Sequence, residues 1–266
     1  MESQTLKMAV AVPQVVLGDC RANANEMIRL VQEAAAAGAR LVLFPELSVT
    51  GATCADLFGQ DVLVQDALGT LLDMMSRTQD LEVAVAAGLP LAVPGGLADA
   101  MVVFSRGRAL HAAVKQYQPA GKVMQGRRWF VPGSTLPGTA VRLAGQSLPV
   151  GAPSVFYVDG MALCLTVGDD MSAPLLPYVR QVASGARAVC IASAIPALAG
   201  RCDAIGRHLA SESYRLRVPF VYVSAGQGES TTDQVFDGTA LLARAGQVTP
   251  LSERFLNRSQ WRLCEL

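Results

Sequence analysis

The hydrophobic positions of the chain follow two recurring patterns, which predict helices placed between buried strands. Residues 6–14 and 40–46 are apolar runs of the kind that forms buried strands. Between them apolar residues recur at helical spacing, and Asp19 and Gly38 are suited to begin and end that helix. The helical set is Met27, Leu30, Val31, Ala34 and Ala35. This order predicts parallel strands joined by a right-handed crossover.

The same two patterns continue to about residue 250. Helices are predicted over 66–79, 173–186 and 201–217. Strands are predicted over 82–93, 96–107, 108–117, 187–196 and 218–226, and hairpins over 153–167 and 234–248. Asp159-Gly160 is a strong signal for the first hairpin turn. No linker or repeat interrupts the chain, so we expect one mixed α/β domain over residues 1–266.

The charge balance and the length of the apolar runs exclude some classes of function. Lys and Arg total 22, as do Asp and Glu, so the net charge is zero and no basic face for nucleic acid is evident. No apolar run reaches the roughly 18–20 residues that a membrane helix needs. The N-terminus lacks the basic segment and cleavage site of a signal peptide. We therefore expect a cytoplasmic protein that binds neither nucleic acid nor membrane.

Cysteine and histidine are too scattered to predict a metal site. The six cysteines form no CxxC pair, and neither His111 nor His208 lies near one at ligand spacing. With only two histidines in the chain, few residues could serve as the histidine of a catalytic triad. We expect no metal and no cofactor.

Polar residues suited to catalysis follow three of the predicted strands, where ligands collect in layered α/β folds. Glu46 follows a buried strand and a proline, where desolvation would raise its pKa and suit it to act as a general base. Lys115 ends another apolar strand, where its ammonium group can stabilise an oxyanion. The third strand runs into Gly168-Asp169-Asp170, in a place where many hydrolases carry a nucleophile.

Three segments in this order resemble the signatures of the nitrilase, or carbon–nitrogen hydrolase, superfamily. They are FPELSVTG (44–51), VKQYQPAGK…RRWF (114–130) and GMALCLTVGDDMSAP (160–174). ADLF (55–58), AAGLPLAV (86–93) and VPFVYVSAG…VFDGTALL (218–242) are similar to the glutaminase branch found in glutamine-dependent NAD synthetase. The resemblance extends from about residue 6 to 255. It implies an αββα sandwich that pairs into a four-layer αββα–αββα dimer.

The resemblance also implies a Glu–Lys–Cys triad. In it a thiolate attacks an amide carbon, the glutamate moves the proton and the lysine stabilises the oxyanion. Glu46 and Lys115 match the first two members, and the nucleophile position falls on Gly168. Glycine has no atom that can form a thioester. In other hydrolases, loss of the nucleophile lowers turnover about 10⁶-fold.

Departures from the family pattern fall on the implied substrate pocket. The pocket positions are Ala52, Gly121, Asp169 and Ser193. Family members usually carry an aromatic residue in place of Ala52, a tyrosine in place of Gly121 and a second glutamate in place of Gly126. Arg128, Phe130 and the acidic residue at 169 fit the pattern.

Two functions fit these residues. The first is a degenerate glutaminase-like domain with a structural or regulatory role, assembled as a homodimer or larger homo-oligomer and supporting a separate NAD-synthetase-type partner. The chain has no SGGxDS-type pyrophosphate loop, so we do not expect it to make NAD alone.

The second is an active hydrolase of another small-molecule amide. It would use Glu46 and Lys115, with Cys54 or water as the nucleophile. Cys164 lies four residues before Gly168 on the same strand, roughly 13 Å away, and cannot substitute.

Overall fold

The computed structural model describes residues 5–118, 126–150, 152–231 and 233–266. The helices in these ranges are α1 (Cys20–Ala36), α2 (Asp61–Arg77), α3 (Gly126–Trp129), α4 (Pro177–Ala183) and α5 (Arg201–Leu216). The strands are β1 (Lys7–Val12), β2 (Leu41–Leu43), β3 (Ala84–Val93), β4 (Gly96–Ser105), β5 (Arg108–Val114), β6 (Ala140–Leu143), β7 (Gln146–Pro149), β8 (Val155–Val158), β9 (Met161–Val167), β10 (Ala188–Ser193), β11 (Phe220–Ser224), β12 (Ala240–Arg244), β13 (Gln247–Pro250) and β14 (Gln260–Glu265).

Two six-stranded sheets form the centre of the fold. One has the order β14-β1-β2-β3-β4-β5 and the other β13-β12-β11-β10-β9-β8. Strands β1, β2 and β3 are parallel neighbours, as are β9, β10 and β11. This confirms the parallel pairing that the strand–helix–strand pattern predicts. A small hairpin of β6 and β7 lies outside both sheets.

Three apolar layers hold the sheets and helices together as an αββα sandwich. Alternate residues of β1 show this arrangement, because Met8 and Val10 pack against the second sheet while Ala9 and Ala11 pack toward α1 and α2. A third layer lies between the second sheet and helices α4 and α5, and includes Tyr178. Strands buried on both faces explain why the apolar runs are continuous.

The predicted ends of several elements agree with the structure, and others differ. The Asp19 side chain caps α1 by accepting from Ala22 N at 2.9 Å. Asp159 and Gly160 both have positive φ, as a tight hairpin turn requires. Helix α2 begins at Asp61, earlier than predicted. Helix α4 begins only at Pro177, later than predicted. The residue that precedes a proline is disfavoured in the helical backbone conformation, so the helix starts at the proline itself.

Strand β14 has no counterpart in the sequence-based prediction. It pairs antiparallel with β1, from Lys7 opposite Glu265 to Val12 opposite Gln260. An edge strand that is mostly part-exposed has a weak apolar pattern, and its pairing comes from the exposed edge of β1. Among the described residues, no helix combines the length and apolar character required to cross a membrane.

Candidate active site

Glu46 and Lys115 form a buried ion pair where strand ends of the two sheets meet. Glu46 follows β2, Lys115 follows β5, and both side chains are 3% exposed. Lys115 Nζ donates to Glu46 Oε1 at 2.7 Å. The backbone N–H of Ala194, just after β10, donates to Glu46 Oε2 at 2.9 Å. Glu46 therefore links the first sheet to the second.

The turn after β9 brings Gly168 against this ion pair. Its φ of +51° lies in the left-handed region, which glycine adopts without steric cost. A Cβ at this position would lie 2.4 Å from Glu46 Oε2 and 2.7 Å from Lys115 Nζ. Those separations are too short for real contacts, so the pair occupies the space into which a side chain at 168 would project.

Gly88 fixes the backbone that carries Glu46. A Cβ on Gly88 would lie 2.3 Å from Leu47 N and 2.8 Å from Pro45 O. Leu47 itself has a φ of +52°, an uncommon conformation for a residue with a side chain. The close packing on Gly88 and the sharp turn at Leu47 together direct the Glu46 carboxylate toward Lys115.

Asp99 is a third buried ionisable group at this site, and the sequence reasoning missed it. It lies on β4, is 1% exposed, and its Oδ2 is 3.9 Å from Lys115 Nζ. Its backbone carbonyl accepts from Lys115 N at 2.9 Å. A carboxylate inside the apolar run GLADAMVVF indicates a buried charge with a partner nearby, because charged residues are rarely fully buried without one.

Burial and mutual charge decide the ionisation of these groups. Burial acts to raise the pKa of Glu46, but the Lys115 charge and the hydrogen bonds from Asp99, Lys115 and Ala194 N together outweigh it, so the pKa is lowered and not raised as the sequence suggests. Burial acts to lower the pKa of Lys115, yet the facing carboxylates raise it. Burial and the Glu46 charge raise the pKa of Asp99 well above its usual range. Of the two buried carboxyl groups, Asp99 therefore holds a proton more readily than Glu46.

The two aspartates after Gly168 have different positions. Asp169 is part-exposed, with Oδ2 3.2 Å from Lys115 Nζ. Asp170 is buried and accepts from the backbone N–H groups of Gln116 and Tyr117, each at 2.8 Å. Asp170 thus ties the turn after β9 to the segment that follows Lys115. Burial raises its pKa to about 7.

Glu229 is a second buried carboxylate that holds a loop of the site, and sequence reasoning missed it as well. It is 1% exposed and accepts from Ala52 N at 2.9 Å and from Thr53 N at 3.3 Å. Burial raises its pKa to about 7. Nothing in the polar stretch QGESTTDQ (227–234) distinguishes Glu229 from a surface residue, so only the fold reveals this contact.

Glu229 is expected to make stability depend on pH near neutrality. Its pKa is raised from 4.5 to about 7, so the folded state holds a proton that the unfolded state has lost, and this stabilisation disappears as pH rises through 7. His111, whose pKa is lowered from 6.5 to about 4, acts in the opposite direction between these two values, but it is present in both proteins and its effect cancels in the comparison. We therefore expect the melting temperature of Glu229→Gln, relative to wild type, to rise between pH 5 and pH 8.

Thermal unfolding of both proteins across this range measures the difference, with the exposed Glu265→Gln variant as control. A difference that stays constant with pH would show that Glu229 ionises normally in the folded protein.

A cavity of about 410 Å³ opens above the ion pair. Its walls include Glu46, Lys115 and Asp99, the loop residues Leu47, Ala52, Thr53, Ala55, Asp56 and Phe58, the segment Gln118, Gly126, Arg128, Trp129 and Phe130, and Thr231, Asp233 and Gln234. Ala52 therefore lies where the sequence places it. Asp169 and Ser193 are outside the lining, and Ser193 is fully buried at the end of β10. Gly121 lies outside the described residues.

Comparison with known proteins agrees with this architecture. The family model of carbon-nitrogen hydrolases matches residues 7–164. This chain belongs to the carbon–nitrogen hydrolase family. A glutamine-dependent NAD(+) synthetase from Mycobacterium tuberculosis is 30% identical over 253 residues, which is 94% of this chain and 37% of the relative. One from Rhodobacter capsulatus is 25% identical over 89% of this chain and 39% of the relative.

Solved structures share the fold of this carbon–nitrogen hydrolase domain. The glutamine-dependent NAD(+) synthetase of Cytophaga hutchinsonii superposes with a TM-score of 0.86 at 20% identity, covering 99% of this chain and 43% of that chain. A nitrilase-superfamily amidase from Nesterenkonia AN1 superposes with a TM-score of 0.77 at 21% identity, covering 98% of this chain and 90% of that chain. The chain is thus a nitrilase-superfamily domain related to the glutaminase domain of NAD synthetase. It spans well under half the length of the curated relatives it matches.

The cysteines of this carbon–nitrogen hydrolase domain stand away from the cavity. Cys54 was the sequence-based candidate for a substitute nucleophile, but it is 5% exposed, is absent from the cavity lining, and its Sγ donates to Thr50 O at 3.1 Å. Burial and the Glu229 charge raise the pKa of Cys54 to about 11. Cys164 is buried against Gln181, at 2.8 Å from its Oε1. Within the described ranges, no group of three or more His, Cys, Asp or Glu side chains could hold a metal ion.

Proposed function

We propose that this chain is a glutaminase-like domain that does not hydrolyse glutamine and has a structural or regulatory role. In this proposal Gly168 occupies the position of the family nucleophile. The observation that carries it is the 2.4 Å and 2.7 Å approach of Glu46 Oε2 and Lys115 Nζ to the Cβ position of residue 168. A reacting side chain and its tetrahedral adduct need that space, and here the ion pair fills it.

The ion pair also argues against direct activation of water. Glu46 Oε1 accepts from Lys115, Oε2 accepts from Ala194 N, and the pKa of Glu46 is lowered. A general base works best with a pKa near the working pH, and a carboxylate held this way is a weak base. The Lys115 ammonium faces Glu46, Asp99 and Asp169, so its charge is already neutralised.

The Cys54 alternative has less support than the sequence suggested. A thiol with a pKa of about 11 is almost wholly protonated at neutral pH, and the thiolate is the reactive form. Its Sγ donates to Thr50 O, and Cys54 is absent from the lining of the cavity that includes Glu46 and Lys115.

Glutamine hydrolysis is therefore expected to be absent. We expect ammonia release from glutamine to fall about 10⁶-fold below that of an active glutaminase of this family assayed in parallel, and to be unchanged in Glu46→Ala and Cys54→Ala. An electrophilic glutamine analogue should leave no adduct by mass spectrometry. Ammonia release that is lost in Glu46→Ala would overturn the proposal, and an adduct on Cys54 would support the alternative.

A supporting role beside a synthetase is the second part of this proposal. The matching relatives carry the corresponding region within a longer glutamine-dependent NAD(+) synthetase. We propose that the domain assists an ammonia-using NAD-synthetase-type partner and pairs with a second copy of itself. Light scattering of the purified protein tests the pairing. NAD formation from ammonia by the candidate partner, with and without this domain, tests the assistance.

A further inference from the structure

A second cavity, of about 640 Å³, lies at the end of the second sheet where the parallel strands β9, β10 and β11 begin. Its lining includes Met161 at the start of β9, Arg187 directly before β10 and Pro219 directly before β11. The Glu46–Lys115 pair lies at the other end of these strands. The six residues of β10 separate the two places by roughly 20 Å. The second cavity is therefore distinct from the candidate active site.

Four arginines line this second cavity. Arg187 directly precedes β10, and Arg244 ends β12. Arg215 and Arg217 lie at the C-terminal end of α5. None of the lining residues, all of which belong to the described part of the chain, is Asp or Glu. The whole chain has no net charge, so the fold concentrates positive charge at a place that the composition does not reveal.

Two of these guanidinium groups have no partner in the protein. Arg187 and Arg217 are exposed and form no ion pair or side-chain hydrogen bond with any described residue. Arg215 donates to Glu212 through Nε and Nη2, but its side chain remains 49% exposed. Arg244 donates to a backbone carbonyl. The cavity therefore offers accessible N–H donors that the protein itself does not use.

The dipole of α5 accounts for only part of this cluster. Positive charges at the C-terminal end of a helix are favourable, which gives Arg215 and Arg217 a role in the free protein. Arg187 and Arg244 come from strands, and this reason does not apply to them. Positive charges that share one cavity repel each other. A bound anion would remove that repulsion and use the free donors.

The number and origin of the arginines favour phosphate as the anion. Each planar guanidinium group can donate two parallel N–H bonds to one edge of an anion. A carboxylate is flat and has two oxygens, whereas linked phosphate groups present oxygens in several directions. They can therefore accept from arginines of separate elements at once. The volume also suits a small ligand, since ligand pockets commonly measure about 300–1,000 Å³.

We propose that the second cavity binds a small molecule that carries a chain of two or more phosphate groups. Arg187 and Arg217 donate to the phosphate oxygens, and Arg215 and Arg244 add positive charge around them. No bond of the ligand is formed or broken. The proposal concerns a separate place in the fold, so it does not depend on whether glutamine is hydrolysed.

Calorimetry on the wild-type protein tests this with inorganic pyrophosphate as the probe. Citrate, which has a similar charge near pH 8, and a single-stranded DNA oligonucleotide are the controls, all at one ionic strength because salt screens exposed charges. We expect pyrophosphate to bind at least about tenfold more tightly than citrate. Equal binding of the two would overturn the proposal. Tighter binding of the oligonucleotide than of pyrophosphate would also overturn it, in favour of a surface for nucleic acid.

Arg187→Gln/Arg217→Gln tests the two unpaired arginines. Two charge-assisted hydrogen bonds are lost, so we expect the affinity for pyrophosphate to fall about tenfold or more. Arg21→Gln/Arg207→Gln is the matched control, because it removes the same charge at exposed positions outside the lining. It should change the affinity less than about threefold. Equal losses in the two variants would show that only net charge matters, and would contradict a defined site.

Discussion

Lys115→Met is expected to lower the melting temperature by roughly 10 °C, because it leaves the Glu46 charge buried without its partner. Removing one member of a buried ion pair costs about 3–5 kcal/mol, whereas surface lysines contribute little. Here the pair is 2.7 Å apart, and both side chains are 3% exposed. The loss should be greater at pH 8 than at pH 5, since unpaired Glu46 can take up a proton at the lower pH.

The double variant Glu46→Gln/Lys115→Met identifies the cause of that loss. Glutamine keeps an acceptor for Ala194 N and removes the charge, so most of the lost stability should return. Lys7→Met, at an exposed position on β1, is the matched control and should change the melting temperature little. If the double variant is as unstable as the sum of its single changes, the charge pairing does not stabilise the site.

Gly168→Ala and Gly168→Cys are each expected to lower the melting temperature by roughly 8 °C. The left-handed φ of +51° costs a residue with a side chain about 1–2 kcal/mol. The new Cβ must also displace Glu46 Oε2 and Lys115 Nζ from 2.4 Å and 2.7 Å. Overpacking of this kind adds about 1–3 kcal/mol.

Gly138→Ala provides the matched control for backbone strain alone. Gly138 has a φ of +71°, and nothing lies within 4 Å of its Cβ position. The Gly138→Ala substitution should lower the melting temperature by only about 2–4 °C. The difference in melting temperature between the two alanine variants measures the destabilisation caused by displacing the Glu46–Lys115 ion pair. Equal losses at 138 and 168 would show that the pair moves aside freely, which would remove the main support for the proposal that position 168 is closed to a nucleophile.

Local sequence patterns were sufficient for much of the fold. Continuous apolar runs predicted the buried parallel strands, helical spacing predicted α1, and Asp159-Gly160 predicted a hairpin turn. The order of elements and the signature segments also indicated the sandwich and the family. Strand β14 was not predicted, because its pairing depends on the open edge of β1, about 250 residues away along the chain.

The sequence by itself determined which residues end the buried strands, and its family resemblance implied that Glu46, Lys115 and residue 168 belong to one site. It also determined that residue 168 offers no nucleophile. Only the tertiary structure decided how these groups are charged. The carboxylates of Asp99, Asp170 and Glu229 come from separate segments, and their pKa values depend on burial and on neighbours that are distant in sequence.

The same dependence applies to the cysteines and to the four arginines of the second cavity. Whether Cys54 faces the cavity or the interior is set by the packing of its loop against Glu229, which spacing in the sequence does not encode. Whether the four arginines line one cavity depends on how β10, α5 and β12 pack together, because these elements are separate in the sequence. Hydrogen bonding and desolvation act over a few ångströms in space, so they are fixed only when the chain has folded.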